Sequence, residues 1–171
     1  MSFSIHQVAV PVFSQGLTAL SGLLAKAQAF AEAKKVDPAV MLNLRLYPDM
    51  FPFVRQVQTA CDHAKGAVAR LAGTEIPTHA DTEANFAELS ARVDKTLSFV
   101  KGFKPGQFEG AEDRQIVLLL GPKKEFKLEF TGADYLTKFA TPNFYFHLTT
   151  AYAILRHCGV EIGKRDFLGG V

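Results

Sequence analysis

The 171 residues are enough for one domain with a single core, and 48% hydrophobic against 21% charged residues is typical of a folded chain. A net charge of +2, with the basic residues scattered, argues against a nucleic-acid-binding surface. No apolar run approaches the ~18 residues of a membrane span, and residues 1–6 do not resemble a signal peptide. We therefore expect one cytoplasmic domain over residues 1–171 that binds neither nucleic acid nor a membrane.

Three helical patterns occupy the first hundred residues. The first covers residues 4–35, with Ser4 as its N-cap and with Pro11 expected to kink it or to mark a false start. A short helix follows over residues 37–46. The second long helix covers residues 50–71, with Asp49 as N-cap, and the third begins at Asp81 and ends near Gly102.

The hydrophobic period then changes from helical to alternating. Residues 114–120 and 125–130, joined by a turn at 121–124, predict a β-hairpin that must pack on the helices or on a second chain. The last long helix is expected to start at Pro142 and to stop at Gly159. Residues 160–171 contain too much glycine for a further helix, and we expect them to lie on the surface. The four long helices with an inserted hairpin predict an all-α fold, a four-helix bundle.

The last helix carries polar side chains on its apolar face. At about 100° per residue, His147 lies in the middle of that face, with Asn143 one turn earlier and Thr150 at its flank. The apolar members of the face are Phe144, Ala151, Ile154, Leu155 and Cys158. A buried imidazole or amide without a hydrogen bond costs about 1–3 kcal/mol, so these groups must be paired or must bind something. The pattern predicts a ligand-binding or catalytic site at His147, with Asn143 and Thr150 as binding residues.

The second helix offers weaker candidates. His63 lies roughly 120° from the centre of that helix's apolar stripe, which places it at the bundle edge or in a subunit contact. Gln56 lies on the same flank two turns earlier, whereas Gln58 and Asp62 lie on the opposite flank. A purely structural role also remains open for His147, with its ring bonded to a carbonyl group or to Thr150.

Five segments together resemble a bacterial family, domain of unknown function 1993, over almost the whole chain. They are RLYPDMFP at 45–52, QVQ at 56–58, PNFYFH at 142–147, LRHCGV at 155–160 and GKRDFLG at 163–169. The family is placed in the DinB-like superfamily of metalloenzymes. The resemblance implies a four-helix bundle that is often dimeric.

In that superfamily three histidines hold a divalent metal such as zinc or nickel. One comes from the second helix, and two form an HxxxH pair on the last helix before a Leu-Arg-x-x-Gly ending. The resemblance places this pair on Asn143 and His147 and the helix-2 ligand among residues 56–58, with His63 too far along the helix. It therefore implies a degenerate site of one imidazole and two amides, which is a poor ligand set for zinc or nickel.

The sequence thus predicts a homodimer with a cleft that no longer holds a tight metal. Asn143, His147, Thr150 and one of the glutamines at 56 and 58 would bind a small polar molecule or an ordered water. Two other functions remain open. One is an enzyme that uses His147 as a metal ligand or general base, as in the thiol-dependent transferases of the superfamily. The other is a structural protein whose surface serves only for dimerisation.

Overall fold

Four long helices form the bundle in the computed structural model, which describes residues 4–121 and 123–170. They are α1 (Ile5–Lys34), α3 (Phe53–Ala72), α4 (Phe86–Lys101) and α6 (Thr141–His157). Three short helices are α2 (Pro38–Leu42), α5 (Gly132–Asp134) and α7 (Lys164–Phe167). α1 packs mainly on α4, and α3 packs on both α6 and α4. The predicted all-helical bundle with an inserted hairpin is confirmed.

α1 begins where the sequence predicts. The Ser4 hydroxyl accepts a hydrogen bond from the Gln7 amide, and the Gln7 side chain accepts one from the Ser4 amide, a reciprocal capping box. The helix continues through Pro11 without a break, so the false start expected there is wrong. α1 is long and apolar enough to span a membrane, since its most apolar 18-residue window has a mean hydropathy of 1.5. However, 44% of that window is buried inside the protein, and core helices of soluble proteins pass the same test.

The next two long helices begin later than the sequence predicts. α3 starts after Pro52, which makes no side-chain cap, so Asp49 is not its N-cap. α4 starts after Asn85, whose side chain accepts from the Glu88 amide. Asp81 does not cap α4 because its carboxylate is bound by arginines of α3 and α4 instead. A local cap preference was outweighed here by charged partners that are distant in sequence.

The hairpin lies between α4 and α6 in the sequence, as predicted, with strands β1 (Ile116–Leu120) and β2 (Phe126–Phe130). Pro122, in the predicted turn, is outside the described residues. Ile116 and Leu118 are buried against the helices, while Val117 and Leu119 on the other face are about half exposed, at 50% and 53%. The hairpin therefore covers one side of the bundle and leaves an apolar outer face.

The C-terminal elements correct two further predictions. Residues Tyr135–Ala140 form a π-helical segment that continues directly into α6, so α6 begins at Thr141 rather than at Pro142. The glycine-rich tail does form a short helix, α7, in which Asp166 accepts from the Gly163 amide at 2.8 Å and pairs with Lys26 of α1 at 2.7 Å. These bonds hold the tail on the surface of α1, and a surface position is what we expected for residues 160–171.

Candidate functional site

His147, a residue of α6, contacts α3 through its side chain and is only 8% exposed. Its Nδ1 is 2.7 Å from Oε1 of Gln56, and Nε2 of Gln56 donates to the Phe51 carbonyl at 3.1 Å. Because the Phe51 carbonyl fixes which end of the amide faces His147, an acceptor oxygen lies opposite Nδ1. Nδ1 must therefore carry the proton. Nε2 keeps its lone pair and has no hydrogen-bond partner in the part of the chain that the structure describes.

A column of nearly parallel rings surrounds His147. Its ring centroid is 5.5 Å from that of His63, at an interplanar angle of 15°, and 6.3 Å from that of Phe51 on α3's N-terminal side, at 17°. Phe139 of the π-helical segment lies 6.1 Å from His63. The sequence places His63 at the bundle edge or in a subunit contact and does not predict its contact with His147; in the structure His63 is half-buried and its ring stacks on that of His147. The two imidazoles form one cluster across the α3–α6 interface.

Burial keeps both imidazoles uncharged. Desolvation first, and then the neighbouring His147, lower the pKa of His63 to about 4 against the opposing effect of Asp62. The pKa of His147 is also lowered, by burial first and then by the positive charge of Arg55. At neutral pH the cluster therefore offers unprotonated ring nitrogens, which can accept a hydrogen bond or a proton.

A small cavity of about 170 Å³ opens beside His63, between α3, the hairpin and the π-helical segment. It is lined by Asp62, His63, Arg70, Leu118, Leu120 and Phe139. The leucines and the phenylalanine provide apolar walls, and the α3 residues provide polar groups. An apolar protein cavity of about 150 Å³ can hold benzene, so this one has room for a ring-sized fragment.

Several residues predicted to bind a ligand are engaged elsewhere. The Asn143 amide donates to the Phe139 carbonyl at 2.7 Å, and the Thr150 hydroxyl donates to the Phe146 carbonyl at 2.7 Å. Both bonds are local, to the carbonyl one turn earlier. Gln58 donates to Glu83 at 2.8 Å, on a different side of α3 from His147. Of the predicted ligand set, only Gln56 forms a hydrogen bond with His147 among the described residues.

Gln58 belongs to a separate network of charges around Arg92 of α4. The Arg92 side chain is 2% exposed and pairs with Asp62 at 3.0 Å, Asp81 at 2.9 Å and Glu83 at 2.9 Å. These partners come from α3 and from the loop before α4. The network fixes that loop on the bundle. No spacing in the sequence indicates it, because its members come from separate segments.

Neither cysteine is an activated nucleophile. Cys61 and Cys158 are free thiols. Burial raises the pKa of Cys61 to about 12 and also raises that of Cys158. A thiolate mechanism on this chain's own cysteines is therefore not supported.

The residues at the superfamily's metal positions do not fit zinc or nickel. Gln56 and Asn143 contribute neutral amides, and both amides already form hydrogen bonds within the protein. Only His147 supplies an imidazole there, and Zn²⁺ and Ni²⁺ sites require several imidazole, thiolate or carboxylate ligands. Across residues 4–121 and 123–170, no three histidines, cysteines or carboxylates are grouped so that they could hold a metal ion.

Comparison with known proteins relates this chain to a known protein family. The family model of the domain of unknown function DUF1993 matches residues 5–168. A DinB family member from Shewanella denitrificans, known from a crystal structure, has 45% sequence identity to this chain. The match covers 98% of this chain and 93% of the Shewanella chain, with a TM-score of 0.88. The comparison with curated proteins found no match.

Proposed function

This chain belongs to the DUF1993 family and has a DinB-like fold, and from that premise we propose that it binds a small organic molecule beside His63. The bound molecule has an apolar, ring-sized body and one polar group. The body lies against Leu118 and Phe139, and the polar group forms a hydrogen bond with the His63 ring. His147, stacked behind His63 and oriented by Gln56, holds that ring in place.

The observation that carries this proposal is an uncharged imidazole, that of His63, at the wall of a cavity and stacked on the second imidazole of His147. His63 makes no hydrogen bond through either ring nitrogen to any described residue. The two ring nitrogens, one a donor and one an acceptor in the neutral imidazole, are therefore available to a molecule bound in the cavity. Such convergent polar groups on an otherwise apolar wall are typical of small-molecule sites.

Metal-dependent catalysis is the less favoured function. The donor set around His147 lacks the ligands that would bind zinc or nickel tightly. A metal-free role for His147 as a general base stays compatible with its unprotonated Nε2, but it requires a substrate in the cavity first. Binding is therefore the property to test.

The test uses benzyl alcohol as the probe and toluene as the control that lacks the hydroxyl. Protein with ¹³C-labelled histidine is titrated with each compound, and the ring signals are followed by NMR. We expect benzyl alcohol to shift the His63 signals saturably, to shift those of exposed His157 little, and to bind more tightly than toluene. His63→Phe should abolish the preference for benzyl alcohol, whereas His157→Phe should not. Small, linear shifts of all histidines alike would refute the proposal.

Dimerisation through the hairpin is a second candidate function, favoured by one observation. The outer face of the hairpin presents Val117 and Leu119 beside an ion pair between Lys127 and Glu129. Strand pairing sets Val117 opposite Glu129 and Leu119 opposite Lys127, so an apolar row on β1 lies beside a charged row on β2. Such a face is self-complementary, because a two-fold contact brings the lysine of one copy to the glutamate of the other. The proposed occupant is a second copy of this chain.

A further inference from the structure

We propose that the molecule bound in the cavity beside His63 is a monocarboxylate, held by the guanidinium of Arg70. This inference rests on the proposed function, since it names the polar group of the same ligand. Arg70 lies at the wall of the cavity together with His63. Both project from one face of α3, at positions i and i+7, so their polar atoms can meet the same small molecule.

Arg70 has no carboxylate partner among the residues that the structure describes. Among the described residues its guanidinium makes a hydrogen bond from Nη1 to the Tyr135 hydroxyl at 3.2 Å, and it lies 5.9 Å from the Tyr135 ring centroid. No ion pair to Arg70 occurs within residues 4–121 and 123–170. A half-buried cation without an opposite charge is costly, and a bound anion removes that cost.

Asp62 also lines the cavity, but it is already paired. Its Oδ1 accepts from Lys65 and from Arg92. Two cations other than Arg70 therefore offset its charge. Arg70 is therefore the cation that lines the cavity without an ion pair among the described residues. Its guanidinium has N–H donors beyond the one that Tyr135 accepts, and these are enough for the two parallel hydrogen bonds that arginine forms with a carboxylate.

Gly66 makes room for this arrangement. It lies between His63 and Arg70 on the same face of α3, and it is buried. A Cβ at this position would lie 2.5 Å from Nη1 of Arg70. The absence of a side chain thus lets the arginine fold back along its helix toward the cavity. This glycine provides a way to move the guanidinium without removing its charge.

The ligand's body follows from the cavity walls. A volume of about 170 Å³ with leucine and phenylalanine walls fits a single aromatic ring or a branched aliphatic chain. Inorganic phosphate has the charge but no body to cover these walls. We therefore choose benzoate as the probe, with benzyl alcohol as the uncharged molecule of nearly the same shape.

Affinity is measured by NMR titration at pH 7 on the wild type, on Arg70→Gln and on Arg45→Gln, an exposed arginine in the loop after α2. Charged hydrogen bonds contribute about 1.5–3 kcal/mol, which corresponds to roughly tenfold to a hundredfold in affinity. We expect the wild type to bind benzoate at least about tenfold more tightly than benzyl alcohol. Arg70→Gln should remove this preference and leave the affinity for benzyl alcohol unchanged, and Arg45→Gln should alter neither.

Gly66→Ala guards against a folding defect in Arg70→Gln. Alanine favours a helix over glycine, so the variant should stay folded while its methyl group displaces the guanidinium. Benzoate affinity should fall in this variant too. Binding of benzyl alcohol without preference for benzoate, or tighter binding of phosphate than of benzoate, would overturn the carboxylate inference and leave the proposed function standing. Binding of none of these probes at the histidines would overturn both.

Discussion

Gln56 and His147, 91 residues apart in the sequence, form a hydrogen bond that decides where the imidazole carries its proton. The Gln56 oxygen faces Nδ1 because its amide nitrogen is committed to the Phe51 carbonyl. The free lone pair is therefore on Nε2. In many metal sites, an oxygen atom that does not touch the metal accepts the second ring N–H of a histidine ligand and so fixes its tautomer. Gln56 does the same to His147.

Gln56→Glu should raise the pKa of His147. A carboxylate opposite Nδ1–H stabilises the charged imidazolium, and an opposite charge at this distance shifts a pKa by about one unit or more. The measurement is an NMR titration of the His147 ring signals. Gln115→Glu, on an exposed residue before β1, serves as the matched control and should leave that pKa unchanged. An unchanged pKa in Gln56→Glu would show that Gln56 does not contact His147 in solution.

His63 should make the protein sensitive to mild acid. Its pKa in the folded protein is about 4 against an ordinary 6.5, so the unfolded chain binds the proton more readily. The neutral His63 ring makes its full contribution to the free energy of unfolding above pH 6.5. This contribution is lost as the pH falls toward 4, by about 1.4 kcal/mol for each unit by which folding lowers the pKa. Urea unfolding across this range should show a smaller loss for His63→Phe than for the wild type. His157→Phe, an exposed control, should behave as the wild type does.

The Arg92 network should contribute stability that is lost in strong acid. Burial alone would raise the pKa values of Asp81 and Glu83, but bonds and charge from Arg92, and from Arg55 at Asp81, hold both below their usual range. Their contribution is therefore present above about pH 4 and is lost as the pH falls through the lowered values. Arg92→Gln removes the buried partner that three partly exposed carboxylates share and should cost about 1–3 kcal/mol at pH 7. Arg45→Gln should cost little. A loss below about 1 kcal/mol in Arg92→Gln would mean that the network is weak.

Metal content should be low. Protein purified without an affinity tag should contain less than about a tenth of an equivalent of zinc or nickel by elemental analysis, even after soaking, because the superfamily's ligand positions hold one imidazole and two amides that are already hydrogen-bonded within the protein. Restoring the superfamily pattern with Gln56→His and Asn143→His should increase zinc uptake. Near-stoichiometric metal in the wild type would instead support the enzyme hypothesis.

The hairpin contact can be tested by sedimentation. We expect a dimer at micromolar concentration, which Leu119→Lys should dissociate, since it places a charge in the centre of the apolar outer face. Val40→Lys changes a comparably exposed residue of α2, 56% against 53%, and should remain dimeric. A monomeric wild type would refute the hairpin interface.

Local sequence patterns determined the bundle and the burial of His147. The 3.6-residue period fixes which side chains share a helix face, and that face has to be covered whatever its partner is. Phe144, Ala151 and Ile154 are buried as that period predicts. Helix ends were less predictable, since Asp81 resembles an N-cap but binds arginines that only the fold brings near.

Which of the candidate side chains meet in one site was decided by tertiary structure. His63 lies off the centre of its own helix's stripe, and its contact with His147 depends on how far α3 is shifted and rotated against α6. Arg70 and Leu118 of the hairpin line the same cavity, which likewise depends on how β1 lies on the bundle. A residue's face is encoded by its neighbours along the chain, whereas its distance from another helix is set by the packing of all the side chains between them.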